Sequence, residues 1–404
     1  MPSLGELRRV IRRIEGARPP RPAADPVEQV VDGELLDTGQ GTIVVVRRDY
    51  ALTHRHGAEP LGDATAAPLE MLARAARIDA ELGDAGRLLF LDTETTGLAG
   101  GTGTYAFLVG AAWLEGDRLA LTQFFMRDFD DEPALLAALE PLLTRATAVV
   151  TFNGAGFDLP LLETRFVLAR RRWPAALTNL DLLKPARRVW TGWLADCRLP
   201  TLESEVLGLA RDNDVPGALI PLLYFDYLRT RRAGPLKRVF EHNRLDVLSL
   251  VALVGWFGRA LGPDARRRPE ELAGLGRLWE PVDVERALAC YRNALAAGVR
   301  EPVARWARMR LALWEKRAAR WEAACALWET ARGDDLFDPR PWEELAKFQE
   351  HRARDLSAAR AIVADALDQA RSIGAAPRVL DGFAYRLARI ERRLNRPGLD
   401  PATT

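Results

Sequence analysis

Cysteine is nearly missing. Cys197, Cys290 and Cys325 are the only three in 404 residues, and their spacing matches neither a metal knuckle nor a disulfide framework. A disulfide-stapled scaffold and a thiolate zinc fold are excluded. Histidine is as sparse, with His54, His56, His242 and His351. Lysine occurs only at Lys184, Lys237, Lys316 and Lys347, which reads as a bias toward arginine and not as a recognition signal. The formal net charge is only +1, so no global field favours a polyanion, and any such contact must come from local basic patches. No stretch approaches the roughly 20 apolar residues that span a bilayer. The first twenty residues lack the apolar core of a secretory signal, and a cytoplasmic protein with no membrane partner is expected. Gly97, Gly100, Gly101 and Gly103 form neither a Gly-Lys-Ser/Thr loop nor a GxGxxG turn, so they predict a flexible loop and not a nucleotide cradle.

What is present is ordinary globular composition, 48% hydrophobic and 28% charged, in a chain long enough for two or three domains. Its organising stretch is Leu88-Leu89-Phe90-Leu91-Asp92-Thr93-Glu94-Thr95-Thr96-Gly97. Four apolar residues in a row after Gly86 read as a buried strand. Asp92 and Glu94 follow at i, i+2, which puts both on one face of an extended strand. At about 4 Å and an effective dielectric near 20, two such charges repel by roughly 4 kcal/mol. A proton or a cation must offset that cost.

Before this stretch, residues 3–15 read as a basic amphipathic helix and Arg18 to Pro26 as a proline-rich connector. Gly41 to Arg48 reads as a strand and Leu69 to Leu82 as a helix. His54 and His56 lie between them without further ligands nearby, so a loop packing on the next domain is expected rather than a metal pair. After it come strands over 104–113 and 118–126, a helix over 133–144, a strand over 148–152 and a helix over 159–171. A short apolar segment over 177–183, several helices and a last helix from Val239 to Leu261 complete the region. Three meandering strands followed by alternating helices and strands predict an α/β fold, a mixed sheet flanked by helices.

Three further acidic positions stand out. Asp158 ends Asn153-Gly-Ala-Gly-Phe157-Asp158 at a helix start, where an acid also serves as a cap. Asp181 is a further ligand or a structural acceptor. His242-Asn243-Arg-Leu-Asp246 places His242 and Asp246 on one face of the last helix. The ordered set resembles the DEDD superfamily of ribonuclease-H-like exonucleases, whose three motifs fall on Asp92/Glu94, Asp158 and Asp246. A narrower resemblance, to the bacterial YprB-type ribonuclease-H-like family, is carried by Leu91–Gly97, Gly101–Tyr105, Asp181–Arg188, Leu199-Pro-Thr-Leu-Glu203 and Pro216-Gly-Ala-Leu-Ile-Pro221.

The resemblance implies a divalent-metal nuclease, a 3′–5′ exonuclease on DNA or RNA. Two Mg²⁺ or Mn²⁺ ions would be held by Asp92, Glu94, Asp158 and Asp246, with the end of a single strand as partner. Four carboxylates suit such hard cations better than zinc. Thr95, Asn153, Phe157, Arg187, Arg188 and Asn243 are the expected contacts to nucleic acid. The basic runs Arg170–Arg172, Arg187–Arg188 and Arg229–Arg238 hold the backbone or are solvated faces. His242 departs from the pattern. The histidine branch of the superfamily places its base five residues before the last aspartate, whereas here the separation is the four of the tyrosine branch. That turns the side chain by about 100° on a helix, and His242 is expected as a base in the tyrosine slot.

From about Arg277 the chain becomes helical and repetitive. Ala287/Tyr291/Ala294, Ala324/Trp328/Ala331 and Ala359/Val363/Ala366 repeat a small–large–small pattern at a period near the 34 residues of tetratricopeptide repeats. The first copy lacks a clear leading helix, and 381–394 is expected to cap the array. Three domains follow: an N-terminal extension over 1–85, a ribonuclease-H-like domain over 86–262 and a tetratricopeptide-like all-α domain over 270–396 open to a protein partner. Two rival functions stand beside the exonuclease: a silent nuclease-fold scaffold acting through its repeats, and a structure-specific endonuclease.

Overall fold

The computed structural model describes residues 25–78, 82–97, 103–174, 177–262, 267–333 and 336–395. The helix expected over 3–15, the connector up to residue 24 and Gly100 and Gly101 lie outside these. The chain divides into two compact units at Arg266/Arg267.

In the first unit, helix α1 (Val27–Val30) precedes strands β1 (Glu34–Asp37) and β2 (Thr42–Ala51). A small hairpin of β3 (Arg55–His56) and β4 (Glu59–Pro60), a 3-10 turn (Leu61–Ala66) and α2 (Leu69–Ala76) follow. Next come β5 (Leu88–Thr95), β6 (Ala106–Glu115), β7 (Arg118–Phe125), α3 (Glu132–Arg145), β8 (Ala148–Thr151), α4 (Asp158–Leu168) and β9 (Thr178–Asp181). The unit ends with α5 (Leu183–Trp190), α6 (Leu199–Leu202), which runs into a π-helical turn (Glu203–Leu207), α7 (Ile220–Thr230) and α8 (Leu236–Ala260).

Seven strands form one sheet in the order β1-β2-β7-β6-β5-β8-β9. The expected mixed sheet is observed: β5, β8 and β9 pair in parallel, and the remaining neighbours pair antiparallel. Residues 34–51 extend the sheet by pairing β2 along the length of β7, with Tyr50 opposite Leu119 and Val44 opposite Phe125. Alternation along β2 divides its side chains between two cores. Ile43 and Val45 pack with Leu89, Leu91 and Val109 under α3 and α4, while Val44 and Val46 pack with Phe107 and Phe125 under α7 and α8.

Helix boundaries moved where the chain makes specific stops. α2 ends at Ala76 because Arg77 turns left-handed (φ 58°) and returns its N–H to the helix carbonyls. α4 ends at Leu168, two residues before the left-handed Arg170. α8 begins three residues earlier than the periodicity suggested, behind Pro235. From Val247 to Phe257 every residue of α8 is buried. No helix among the described residues is long and apolar enough to cross a membrane.

The second unit is helical: α9 (Pro269–Trp279), α10 (Val284–Ala296), α11 (Val303–Arg317), α12 (Trp321–Arg332), α13 (Pro339–Phe348), α14 (Leu356–Ser372) and α15 (Pro377–Leu394). Each packs on the next. The repeated Ala287/Tyr291/Ala294, Ala324/Trp328/Ala331 and Ala359/Val363/Ala366 are all buried, on α10, α12 and α14. The first copy does have a leading helix, α9.

Candidate active site

The acid pair sits near the end of β5, an interior strand of the sheet, where Asp92 lies opposite Gly110 of β6. A side chain at Gly110 would collide with the Asn243 amide, so glycine is what lets α8 approach the strand here. Asn243 uses that space to donate from Nδ2 to the Asp92 carboxylate at 2.9 Å and to its carbonyl at 3.2 Å. Its own oxygen accepts from Gln123 Nε2 at 2.9 Å. Asn243 is fully buried, which corrects the expectation that it touches nucleic acid. Its neighbour His242 faces the site, but a helix turns successive side chains about 100° apart, and Asn243 points into the sheet.

Asp158 opens α4 and is tied to β5 by the Thr93 hydroxyl, which donates to it at 2.5 Å. The capping position belongs to Phe157, which makes no side-chain cap, while the Asp158 carboxylate accepts backbone N–H groups of Asp158 and Thr93. The loop before it passes through Asn153 in the left-handed region (φ 67°) and is held from below by Asp181. That carboxylate accepts the N–H groups of Asn153 (2.7 Å), Ala155 (3.3 Å) and Leu183 (3.1 Å). Of the two readings left open for Asp181, this bonding is the structural one.

The acids feel one another. Burial, then the charges of Asp246 and Asp158, push Asp92 well above the carboxylate range. Glu94 is pushed up by burial and then by Asp92, Asp246 and Asp158. Burial raises Asp158 to about 6. Buried like charges are the condition that a divalent cation relieves, and an all-oxygen donor set fits Mg²⁺ or Mn²⁺. Among the described residues no three His, Cys, Asp or Glu side chains already stand as a ready metal group. Asn243 and Thr93 occupy oxygens of Asp92 and Asp158, and the Arg211 guanidinium donates to Asp246.

His242 and Asp246 share the expected face of α8. The imidazole Nε2 lies 3.6 Å from Asp246 and 4.0 Å from Glu94, so it is turned to the acids. Its Nδ1 is bonded to Asp214 Oδ1 at 2.8 Å. Asp214 also accepts from Arg211 Nη1 at 3.1 Å. Burial would raise Asp214, but the His242 hydrogen bond and the His242 and Arg211 charges hold it below its ordinary value. Arg211, Asp214 and Glu203, which pairs with Arg211, belong to the site without being part of any sequence motif of acids. The one signal was Glu203 at the end of the Leu-Pro-Thr-Leu-Glu motif.

Asp92, Glu94 and Asp158 open on a cavity of about 430 Å³ whose lining includes Thr95, Asn153, Phe157, Gly217 and Pro221. Phe157 is 58% exposed at its rim. Phe152 and Asn153 also line a second groove of about 400 Å³ with Arg187 and Arg198. Arg187 is exposed, and Arg188 is half-buried and engaged by a neighbour. Several other arginines of the basic runs are committed to structure: Arg171 pairs with Glu140, Arg229 with Asp226 and Arg231 with Asp128, and Arg238 donates to the carbonyls of Asn213 and Asp214.

Residues 89–258 match the sequence model of the RNase_H superfamily. A 209-residue stretch is 36% identical to YprB of Bacillus subtilis (strain 168), a protein described as uncharacterized. The match spans 51% of this chain and 50% of that relative, so the chain spans about half its length.

Proposed function

We propose that this chain, of the YprB-type ribonuclease-H-like family with its RNase_H-superfamily region at 89–258, is a divalent-metal-dependent phosphodiesterase, a 3′–5′ exonuclease acting on the end of a DNA or RNA strand. The observation that carries the reading is that Asp92, Glu94 and Asp158 line one cavity while Asp92 and Glu94 are buried against the charges of Asp158 and Asp246. These four carboxylates would hold two Mg²⁺ or Mn²⁺ ions, which when bound supply Lewis-acid activation of water and neutralise charge on the leaving 3′ oxygen. The chain's own groups do the rest. Asp214 holds the Nδ1 side of His242, leaving Nε2 free to accept a proton from water at the acid cluster. Asn243 and Thr93 orient Asp92 and Asp158. The exposed Phe157 ring offers a stacking surface at the cavity mouth and Arg187 a cation in the adjoining groove.

The buried small–large–small positions of the second unit support reading 270–396 as a tetratricopeptide-like platform for a protein or nucleic-acid partner. Arg211 on Asp246 is the observation favouring the alternative, a nuclease fold that binds without cutting. End-labelled single-stranded DNA and RNA, incubated with Mn²⁺, Mg²⁺ or EDTA beside Asp92→Asn, decides between them. Laddering from the 3′ end that needs metal and Asp92 is the expected result. Cleavage of a closed circle points instead to an endonuclease, and inertness of every substrate to the silent fold.

A further inference from the structure

His56 has no part in the chemistry above, yet it is 3% exposed and wired toward it. We infer that His56 is a positioning residue for the acid cluster: it ends a buried run of hydrogen bonds through Ser249, Glu203 and Arg211 that holds Asp246 in place. The functional meaning of the run rests on the nuclease reading; its existence does not.

The β3–β4 hairpin is seated on the elements that carry this run. Ala58 N–H donates to the Leu207 carbonyl at 2.6 Å, docking the hairpin on the π-helical turn that bears Glu203. Gly57 is left-handed (φ +61°), and a side chain there would strike the same carbonyl. Glu59 and Asp63 both pair with Arg259 of α8, the helix that bears Ser249 and Asp246.

Within this frame the proton directions are determined. His56 Nε2 lies 2.7 Å from Ser249 Oγ. The Ser249 hydroxyl spends its single proton on the Glu203 carboxylate, so His56 must donate from Nε2. Burial, assisted by Arg244, Arg211 and His54, pushes the ring down to about 4, which keeps it neutral at physiological pH with one N–H to give. Glu203, 1% exposed, takes Arg211 Nε at 2.7 Å on one oxygen and both Ser249 and Arg211 Nη2 on the other. Arg211 is thereby fixed at its root, and its outer nitrogens reach Asp214 and Asp246. Each donor of the run has its acceptor, so losing the first donor loosens what the last one holds.

The test uses the full chain with His56→Leu, His56→Gln and Ser249→Ala, and follows Mn²⁺ binding by calorimetry with melting temperature as the folding control. Glutamine restores an N–H donor of similar reach, which leucine lacks. We expect His56→Leu and Ser249→Ala to weaken Mn²⁺ binding by about tenfold or more, His56→Gln to recover most of it, and the leucine effect to vanish on an Arg211→Met background. Equal Mn²⁺ affinity in the wild type and both cut variants, or effects that simply add to Arg211→Met, overturn the inference. Ser249→Ala carries the test if His56→Leu does not fold. A wild type that neither binds Mn²⁺ nor cuts any strand instead overturns the nuclease reading. The run is then decided by the Arg211 Nε–H resonance in EDTA. A signal protected in wild type and His56→Gln but lost in His56→Leu sustains it, and one unchanged in all three sinks it.

Discussion

Replacing Asp158 with Asn should stabilise the metal-free protein at alkaline pH while removing its response to metal. The Asp158 carboxyl titrates near 6 against an ordinary 3.8, chiefly because burial disfavours its charge. A group whose folded pKa is raised favours the fold while protonated, below about pH 4, and that contribution is lost as pH rises through about 6. Two units correspond to about 3 kcal/mol as an upper bound. Asp158 retains partial exposure, so solvent screening brings the realised figure to roughly 1–2 kcal/mol. Asparagine stays neutral and can still accept from Thr93, so it escapes the penalty without losing the tie to β5. At about 2–4 °C per kcal/mol for a domain of this size, the variant should melt several degrees higher than wild type at pH 8 in EDTA. Near pH 4.5 the difference should shrink toward zero. Added Mn²⁺ should raise the wild-type melting temperature and leave the variant almost unmoved. Thermal melts at the two pH values, with and without Mn²⁺, measure all of this. A variant no more stable at pH 8, or a gap independent of pH, would refute the argument that buried carboxylate charge is what metal relieves here.

Three further outcomes are expected. His242→Ala should lower turnover by about 10²–10⁴-fold with little change in KM, and Asp214→Asn should reproduce part of that loss; steady-state cleavage of labelled strands reads both. Arg187→Ala should reduce the slope of log affinity against log salt by about 0.7 for single-stranded DNA, measured by fluorescence anisotropy in EDTA so that cutting does not interfere. In the second unit Glu350 is fully buried and meets Arg386 at 2.8 Å, Arg389 at 2.6 Å and Arg393 at 3.1 Å. Glu350→Ala leaves three partly exposed guanidinium groups crowded together without their shared acceptor and should cost about 1–3 kcal/mol, seen as earlier loss of helix in urea.

Much of the architecture is legible locally. The apolar run before Asp92 and the meander after it specify the central strands, because a strand's two-residue period and its turns are written in adjacent residues. The His242/Asp246 face follows from helical spacing alone. The pairing of β2 with β7 joins residues some seventy positions apart, and nothing within either segment names its partner. The same distance hid the support of the site. Ser249 bonds a histidine 193 residues earlier, and Arg211, held by Glu203 of the π-helical turn, reaches Asp246 from a segment with no periodicity to read.

Asn243 marks the boundary most sharply. Beside His242 in the chain, it read as a group facing substrate. In the fold it fills the space left by Gly110 and holds Asp92. The sequence by itself determined the elements and the order of the acids, since periodicity and residue chemistry are local properties. Which of their oxygens are held, by which donors and beside which charges, was decided only by packing, because those contacts join positions whose nearness arises from the fold.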